Sequence, residues 1–213
     1  MTVTIDLYYS FRSPYSYLAT KGATQLEKDY DAKIHFRPVL PLALRDPSFF
    51  NPNNLKRVKY IMLDWHRRAE MLGMKHAWPK PDPIVQDLET YTIAEEQPYI
   101  YDLSYLGIAA EKEGKGLAFA TEVSALIFSG TKWDEGNHLE EAVRRAGFDL
   151  EMLRADISSS PDEYKKILEQ NQADQANCGH DGVPTFVYNG DPYFGQDRIE
   201  TLCWQLGLDG LKK

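Results

Sequence analysis

The pattern of apolar and polar positions changes character twice along the chain. It opens on Val3 to Tyr9, VTIDLYY, a β-branched and aromatic run that predicts a buried strand. Ser10-Phe11-Arg12-Ser13-Pro14 follows as a helix start. Ser13 stands where a cap is needed, and Pro14 at the first helical position, where a missing N–H costs nothing. Tyr17, Leu18, Ala23 and Leu26 carry that helix to about Tyr30, and Ile34 to Val39 predicts a second strand. From about Asn54 to Asn177 the period is helical: Tyr60, Ile61, Trp65, Ala69 and Leu72 recur at three-to-four spacing, as do Ala120, Val123, Leu126 and Ile127. Within this stretch Trp78 to Pro83 is a proline-rich turn, and Ser160-Pro161-Asp162-Glu163 reads as a capping box. Alternation then returns. Thr185 to Tyr188 and Asp191 to Phe194 predict two strands joined by Asn189-Gly190, a strong hairpin-turn dipeptide. A last helix is expected from about Asp197 to Gly207.

Both ends are therefore α/β and the middle is helical. The simplest architecture is one α/β domain built from residues 1–55 and 178–213, with residues 56–177 as an inserted helical domain. A length of 213 residues is enough to bury a substantial core. The net charge of −8, with no basic stripe, argues against a nucleic-acid partner. No apolar stretch approaches the ~20 residues of a membrane span. The opening residues lack a basic region followed by an apolar run, so a cytoplasmic location is expected. Cys178 and Cys203 form no C-x-x-C pair and no disulfide framework, which fits a reducing compartment. The five histidines are scattered without paired-ligand spacing, so no metal site is expected.

Two motifs carry chemistry. Ser13-Pro14-Tyr15-Ser16 stands directly after the first strand, at a helix start, and Gly182-Val183-Pro184-Thr185 stands just before a late strand. Together with Phe11 to Ala19 (FRSPYSYLA), Gly182 to Val187 (GVPTFV) and Tyr193 to Leu202 (YFGQDRIETL), they make the chain resemble a thioredoxin-fold branch related to DsbA. That branch holds 2-hydroxychromene-2-carboxylate isomerases and kappa-class glutathione transferases. The resemblance implies a thioredoxin-like fold with a large helical insertion, and serines where the dithiol proteins carry C-x-x-C. It implies a cis bond at Val183-Pro184, glutathione as cofactor, a small conjugated or aromatic substrate and a homodimer. By the same resemblance Ser13 would hydrogen-bond the glutathione sulfur, Val183 would pair with the cysteinyl backbone, and Gln196 and Asp197 would hold the γ-glutamyl end. Asn51 would add a polar contact, with Asn53 and Asn54 competing for that place. Gln196 departs from the Asn or Ser usual in the family, but a backbone N–H there survives any substitution.

The residue types fit those roles. A carboxylate suits free N–H groups at a helix start, and Asp197 suits an amine, although Asp also serves as a plain helix cap. A free thiol, with a pKa near ~8.5, is only a few per cent ionised at pH ~7. Lowering it by ~2 units takes about 2.7 kcal/mol. A helix N-terminus supplies ~0.3–1 kcal/mol, up to ~2 in good geometry, and a hydrogen bond to a charged group ~1.5–3 kcal/mol. The two together suffice. Ser13 itself is not read as a nucleophile, since no His–Asp pair stands beside it. Tyr8, Tyr9, Phe11, Phe49, Phe50, Trp65, Trp78 and Tyr91 are available either to line an apolar pocket or to fill the core. The function expected is a glutathione-dependent isomerase. The alternatives are a kappa-like glutathione transferase, whose adduct leaves as product, and a non-catalytic module holding a peptide along Val183.

Overall fold

The computed structural model describes residues 2–46, 55–87, 90 and 92–213. The opening run forms strand β1, Val3–Tyr9, followed by helix α1, Pro14–Asp29, and strand β2, Ala32–Pro38. A short helix α2, Leu42–Arg45, precedes α3, Leu55–Leu72. Then come α4, Pro98–Lys112, α5, Gly116–Ile127, α6, His138–Arg145, α7, Leu150–Ser159, and α8, Pro161–Asn177. The chain closes with β3, Thr185–Tyr188, β4, Asp191–Phe194, and α9, Ile199–Leu208.

The sheet order is β2-β1-β3-β4. β1 pairs parallel with β2 and antiparallel with β3, so it is central, and Ile5, Leu7, Tyr8 and Tyr9 are buried while Asp6 is drawn into a charged cluster. β3 and β4 form an antiparallel hairpin with Thr185 opposite Phe194 and Tyr188 opposite Asp191. Its turn places Asn189 at φ 53° and Gly190 at φ 88°, the left-handed pair that an Asn-Gly turn accommodates. Pro192 on β4 cannot donate a ladder hydrogen bond, and β4 is an edge strand, where this is tolerated.

Residues from the two ends and from the helical middle share one core. Tyr9, Phe11 and Phe36 from the first strands and their connection pack edge-on with one another and with Phe119 of α5. Tyr17 of α1 stacks on Phe128, which also meets Trp65 of α3. The buried Tyr9 hydroxyl finds its partner in Ser124 of α5 at 2.6 Å. Tyr9, Phe11 and Trp65 are thus core residues, and Tyr8 lies against Arg37. Of the aromatic candidates among the described residues, only Trp78 reaches a cavity wall. Phe49, Phe50 and Tyr91 lie outside the described residues.

Two local expectations need correction. Ser160 begins α8 as expected, but its side chain makes no cap bond, and Glu163 reaches across to Lys112 at 3.1 Å instead. The last helix starts at Ile199 rather than near Asp197. Gly195, at φ 108°, and the bond from Arg198 N–H to Gly195 C=O (3.1 Å) close a turn over residues 195–198 first. Asp197 therefore does not cap α9.

A charged cluster ties the sheet to α8, the helix that leads into the Gly182–Val183 loop. Arg37 reaches Asp6, Asp174 and Asn171 and lies over the Tyr8 ring, while Asp6 accepts from His35 at 2.7 Å. Burial alone would raise the Asp6 carboxyl. The His35 hydrogen bond and the Arg37 charge outweigh it, and Asp6 ends below the ordinary range. The same hydrogen bond raises His35. A raised imidazole contributes stability below the unfolded value of ~6.5 that is lost as pH climbs through the folded value. His35→Gln is therefore expected to destabilise the protein on the acid side of neutrality and to match wild type in mild alkali. Urea midpoints across pH check this, and a constant difference at all pH values would show that the pair's charge contributes nothing.

Candidate active site

Ser13 is held by the sequence that surrounds it. Its backbone is extended, at φ −81° and ψ 117°, and its Oγ accepts from the Ser16 N–H at 3.2 Å, so one lone pair caps α1. The hydroxyl proton points to the Val183 C=O at 3.5 Å, a long bond for a hydroxyl donor. Val183-Pro184 is a cis peptide, as expected, and so is Lys80-Pro81 in the proline-rich turn. Among the described residues the Val183 N–H has no acceptor. The two motifs, about 170 residues apart in sequence, meet at one place.

That place is the wall of a cavity of about 380 Å³. Pro14, Leu42, Val58, Ile61, Met62 and Trp78 make it predominantly apolar. Arg12 supplies a polar edge: its Nε and Nη2 donate to the two oxygens of Asp82 at 2.8 and 2.9 Å, and its guanidinium lies 5.4 Å from the Trp78 ring. Asp82 also accepts from the Ile84 N–H and from Gln86. Arg12 Nη1 has no acceptor among the described residues and remains available as a donor. Arg57 on α3 adds a second cation to the wall.

A second recess, of about 530 Å³, adjoins the first, and Tyr15 and Phe194 line both. Gln196 and Asp197 lie here together with Tyr60, Asp64 and Arg68. Among the described residues the backbone N–H groups of Gln196 and Asp197 have no acceptor. The Gln196 side-chain oxygen accepts from Arg68 at 2.9 Å, and among the described residues the Asp197 carboxylate pairs with its neighbour Arg198 alone, at 2.9 Å. Gly195 fits because a Cβ there would stand 2.6 Å from the Asp197 carboxylate. Tyr15 donates to Asp64 at 2.7 Å; burial and that carboxylate push its hydroxyl well above the ordinary tyrosine value, so it stays protonated.

Four of the five expected site residues thus lie along two adjoining spaces: Ser13 and Val183 in the first, Gln196 and Asp197 in the second. Asn51, with its competitors Asn53 and Asn54, lies outside the described residues. Arg12, Tyr15, Arg68, Asp82 and Phe194 were not singled out from the sequence. Arg12 and Tyr15 flank Ser13 and were findable by adjacency. Arg68 and Asp82 are brought in from remote segments with no local signal.

Comparison with known proteins gives the family and the fold. The chain is 26% identical over 213 residues to the 2-hydroxychromene-2-carboxylate isomerase of Sphingobium xenophagum, covering 95% of this chain and 97% of that protein. A solved 2-hydroxychromene-2-carboxylate isomerase superposes with a TM-score of 0.71 at 20% identity, covering 97% of this chain and 95% of the other. The cytosolic disulfide reductase DsbM of Pseudomonas aeruginosa, in its structure with GSH, gives 0.55 at 18% identity over 96% of this chain and all (100%) of its own. The model of the DsbA-like thioredoxin domain matches residues 4–207, the strands, the cis-proline turn and the intervening helices together, and the chain belongs to that family.

Proposed function

We propose that the protein is a glutathione-dependent isomerase acting on a small conjugated substrate. One observation carries the reading. The Ser13 hydroxyl and the Val183 backbone face each other at 3.5 Å on an apolar cavity that adjoins a recess holding Gln196 and Asp197. The relatives named 2-hydroxychromene-2-carboxylate isomerase, similar over nearly the whole chain, support the reaction class.

The residues fit glutathione. Its cysteinyl peptide matches the Val183 N–H, which has no acceptor among the described residues, and the Val183 C=O, which Ser13 approaches only at 3.5 Å, by pairing along an extended edge. Its γ-glutamyl carboxylate matches the acceptor-free N–H groups of Gln196 and Asp197, and its amine matches the Asp197 carboxylate. When bound, glutathione supplies a thiolate that adds reversibly to a conjugated double bond, so that the bond can rotate before elimination. The chain's part is to keep that sulfur ionised and the partner in place. Ser13 would donate a hydrogen bond from its hydroxyl to the sulfur while its lone pair keeps α1 capped. The N-terminus of α1 adds its positive end. The apolar wall excludes water, which strengthens both interactions. Arg12 Nη1 offers a donor to an oxygen of the second substrate, where charge develops as the thiolate adds.

Calorimetric titration of the purified protein with glutathione tests the proposal. Saturable binding is expected, with cis–trans turnover of an aryl-conjugated ketone only when glutathione is present. Turnover without glutathione, or no binding at millimolar concentration, defeats it.

A further inference from the structure

We propose that His180 is a positioning residue for the glutathione-binding edge, its ring holding the Asp181–Gly182 peptide that leads into Val183 at the cavity wall. The inference rests on the reading of Val183 as the partner of the cysteinyl backbone. His180 Nδ1 accepts from the Gly182 N–H at 2.9 Å, so in this arrangement the ring proton sits on Nε2. The ring stacks on Phe194, with centroids 3.8 Å apart and planes 23° from parallel, and Phe194, like Tyr15, lines both spaces of the site.

The other side of the same residue is fixed as well. Gly182 C=O accepts from Gln175 Nε2 and from Thr185 Oγ1, each at 2.7 Å. Arg45 of α2 donates to the Asp181 C=O at 2.8 Å. A Cβ at position 182 would lie 2.4 Å from the Phe194 ring, so the loop and the stack fit only as a unit. Gln175, Thr185 and Arg45 are donors and hold carbonyls. Among the described residues His180 alone accepts from the Gly182 N–H. Without it, that N–H is left buried with no acceptor, and the Asp181–Gly182 peptide that leads into Val183 loses one of its two anchors and keeps the Arg45 bond to its carbonyl.

This role has a signature that simple packing lacks. A protonated imidazole carries N–H at Nδ1 and would face the Gly182 N–H donor to donor. The charges that face the ring are Asp181 on the same loop and Arg57 on α3; Phe194, on β4, is neutral. Burial holds the ring below the ordinary imidazole value, helped by Arg57 and opposed by Asp181, so His180 is neutral at pH ~7 and charges only in acid.

The test uses the full chain and S-methylglutathione. This ligand has no thiol to titrate, and its carboxylates and amine keep their charges between about pH 5 and 7. In wild type, affinity is expected to fall about three- to tenfold from pH ~7 to ~5. His180→Asn keeps an acceptor that does not titrate, and is expected to bind like wild type at neutrality with a flat profile. His180→Phe keeps the stack without the acceptor, and is expected to bind about three- to tenfold more weakly throughout. The same pH course for wild type and His180→Asn, or full affinity in His180→Phe, overturns the proposal. If S-methylglutathione binds none of them, the glutathione reading fails. Hydrogen exchange at the Gly182 amide of the free protein then decides: protection lost in acid by wild type but kept by His180→Asn upholds the anchor, and equal courses overturn it.

Discussion

Alanine at position 13 is expected to raise the pKa of bound glutathione by about 1–2 units and to slow turnover by about ten- to a hundredfold, with affinity changed by less than about threefold. The asymmetry follows from the geometry. The Ser13 lone pair is committed to the Ser16 N–H, but the hydroxyl proton makes only a 3.5 Å contact with Val183 C=O, so turning it toward a sulfur gives up little. The contacts assigned to the peptide and γ-glutamyl ends do not involve Ser13, and affinity should survive its loss. Only the ionised thiol reacts, so rate follows pKa. The helix should also lose about 0.5–2 kcal/mol of capping. Thiolate absorbance against pH, with glutathione saturating, reads the effect in wild type and Ser13→Ala. If both titrate at the free-thiol value, Ser13 is a helix cap and nothing more.

Asp197→Ala is expected to have the complementary effect: glutathione binds about 1.5–3 kcal/mol more weakly, while the pKa of whatever does bind stays at the wild-type value. The carboxylate is half exposed and, among the described residues, pairs with the adjacent Arg198 alone, a surface contact it can exchange for an ammonium at little cost. Because that carboxylate is half exposed, the loss should shrink as salt is added. Calorimetry at two ionic strengths measures this directly. Equal affinities for wild type and variant at low salt would remove Asp197 from the binding site. The two variants thus separate the ends of one ligand, with Ser13 changing ionisation at nearly constant affinity and Asp197 the reverse.

Much of this site was legible before any coordinates. The strand before Ser13, the Pro14 that starts α1, the Asn189-Gly190 turn and the bounds of β3 and β4 are local events, and local propensity is enough to place them. The last helix, expected from about Asp197, begins two residues later for an equally local reason: Gly195 at positive φ closes a turn before α9 can begin, so Asp197 lines the recess instead of capping the helix. The capping box at Ser160 failed because a tertiary partner competed, Lys112 of α4 drawing Glu163 away from the cap.

What the sequence by itself determined is where the chain turns, where its helices start and which residue types stand at those points. The tertiary structure alone decided which of those points meet. No periodicity could show that Ser13 faces Val183, that Arg12 engages Asp82 from the proline-rich turn, or that Arg68 reaches Gln196. The aromatic residues divide in the same way, since Tyr9, Phe11 and Trp65 are apolar enough for either a pocket or a core, and only packing buried them. The reason is physical: helix caps, turns and strand alternation follow from interactions within a few residues, whereas a site is assembled by contacts whose sequence separation leaves no trace in the local pattern.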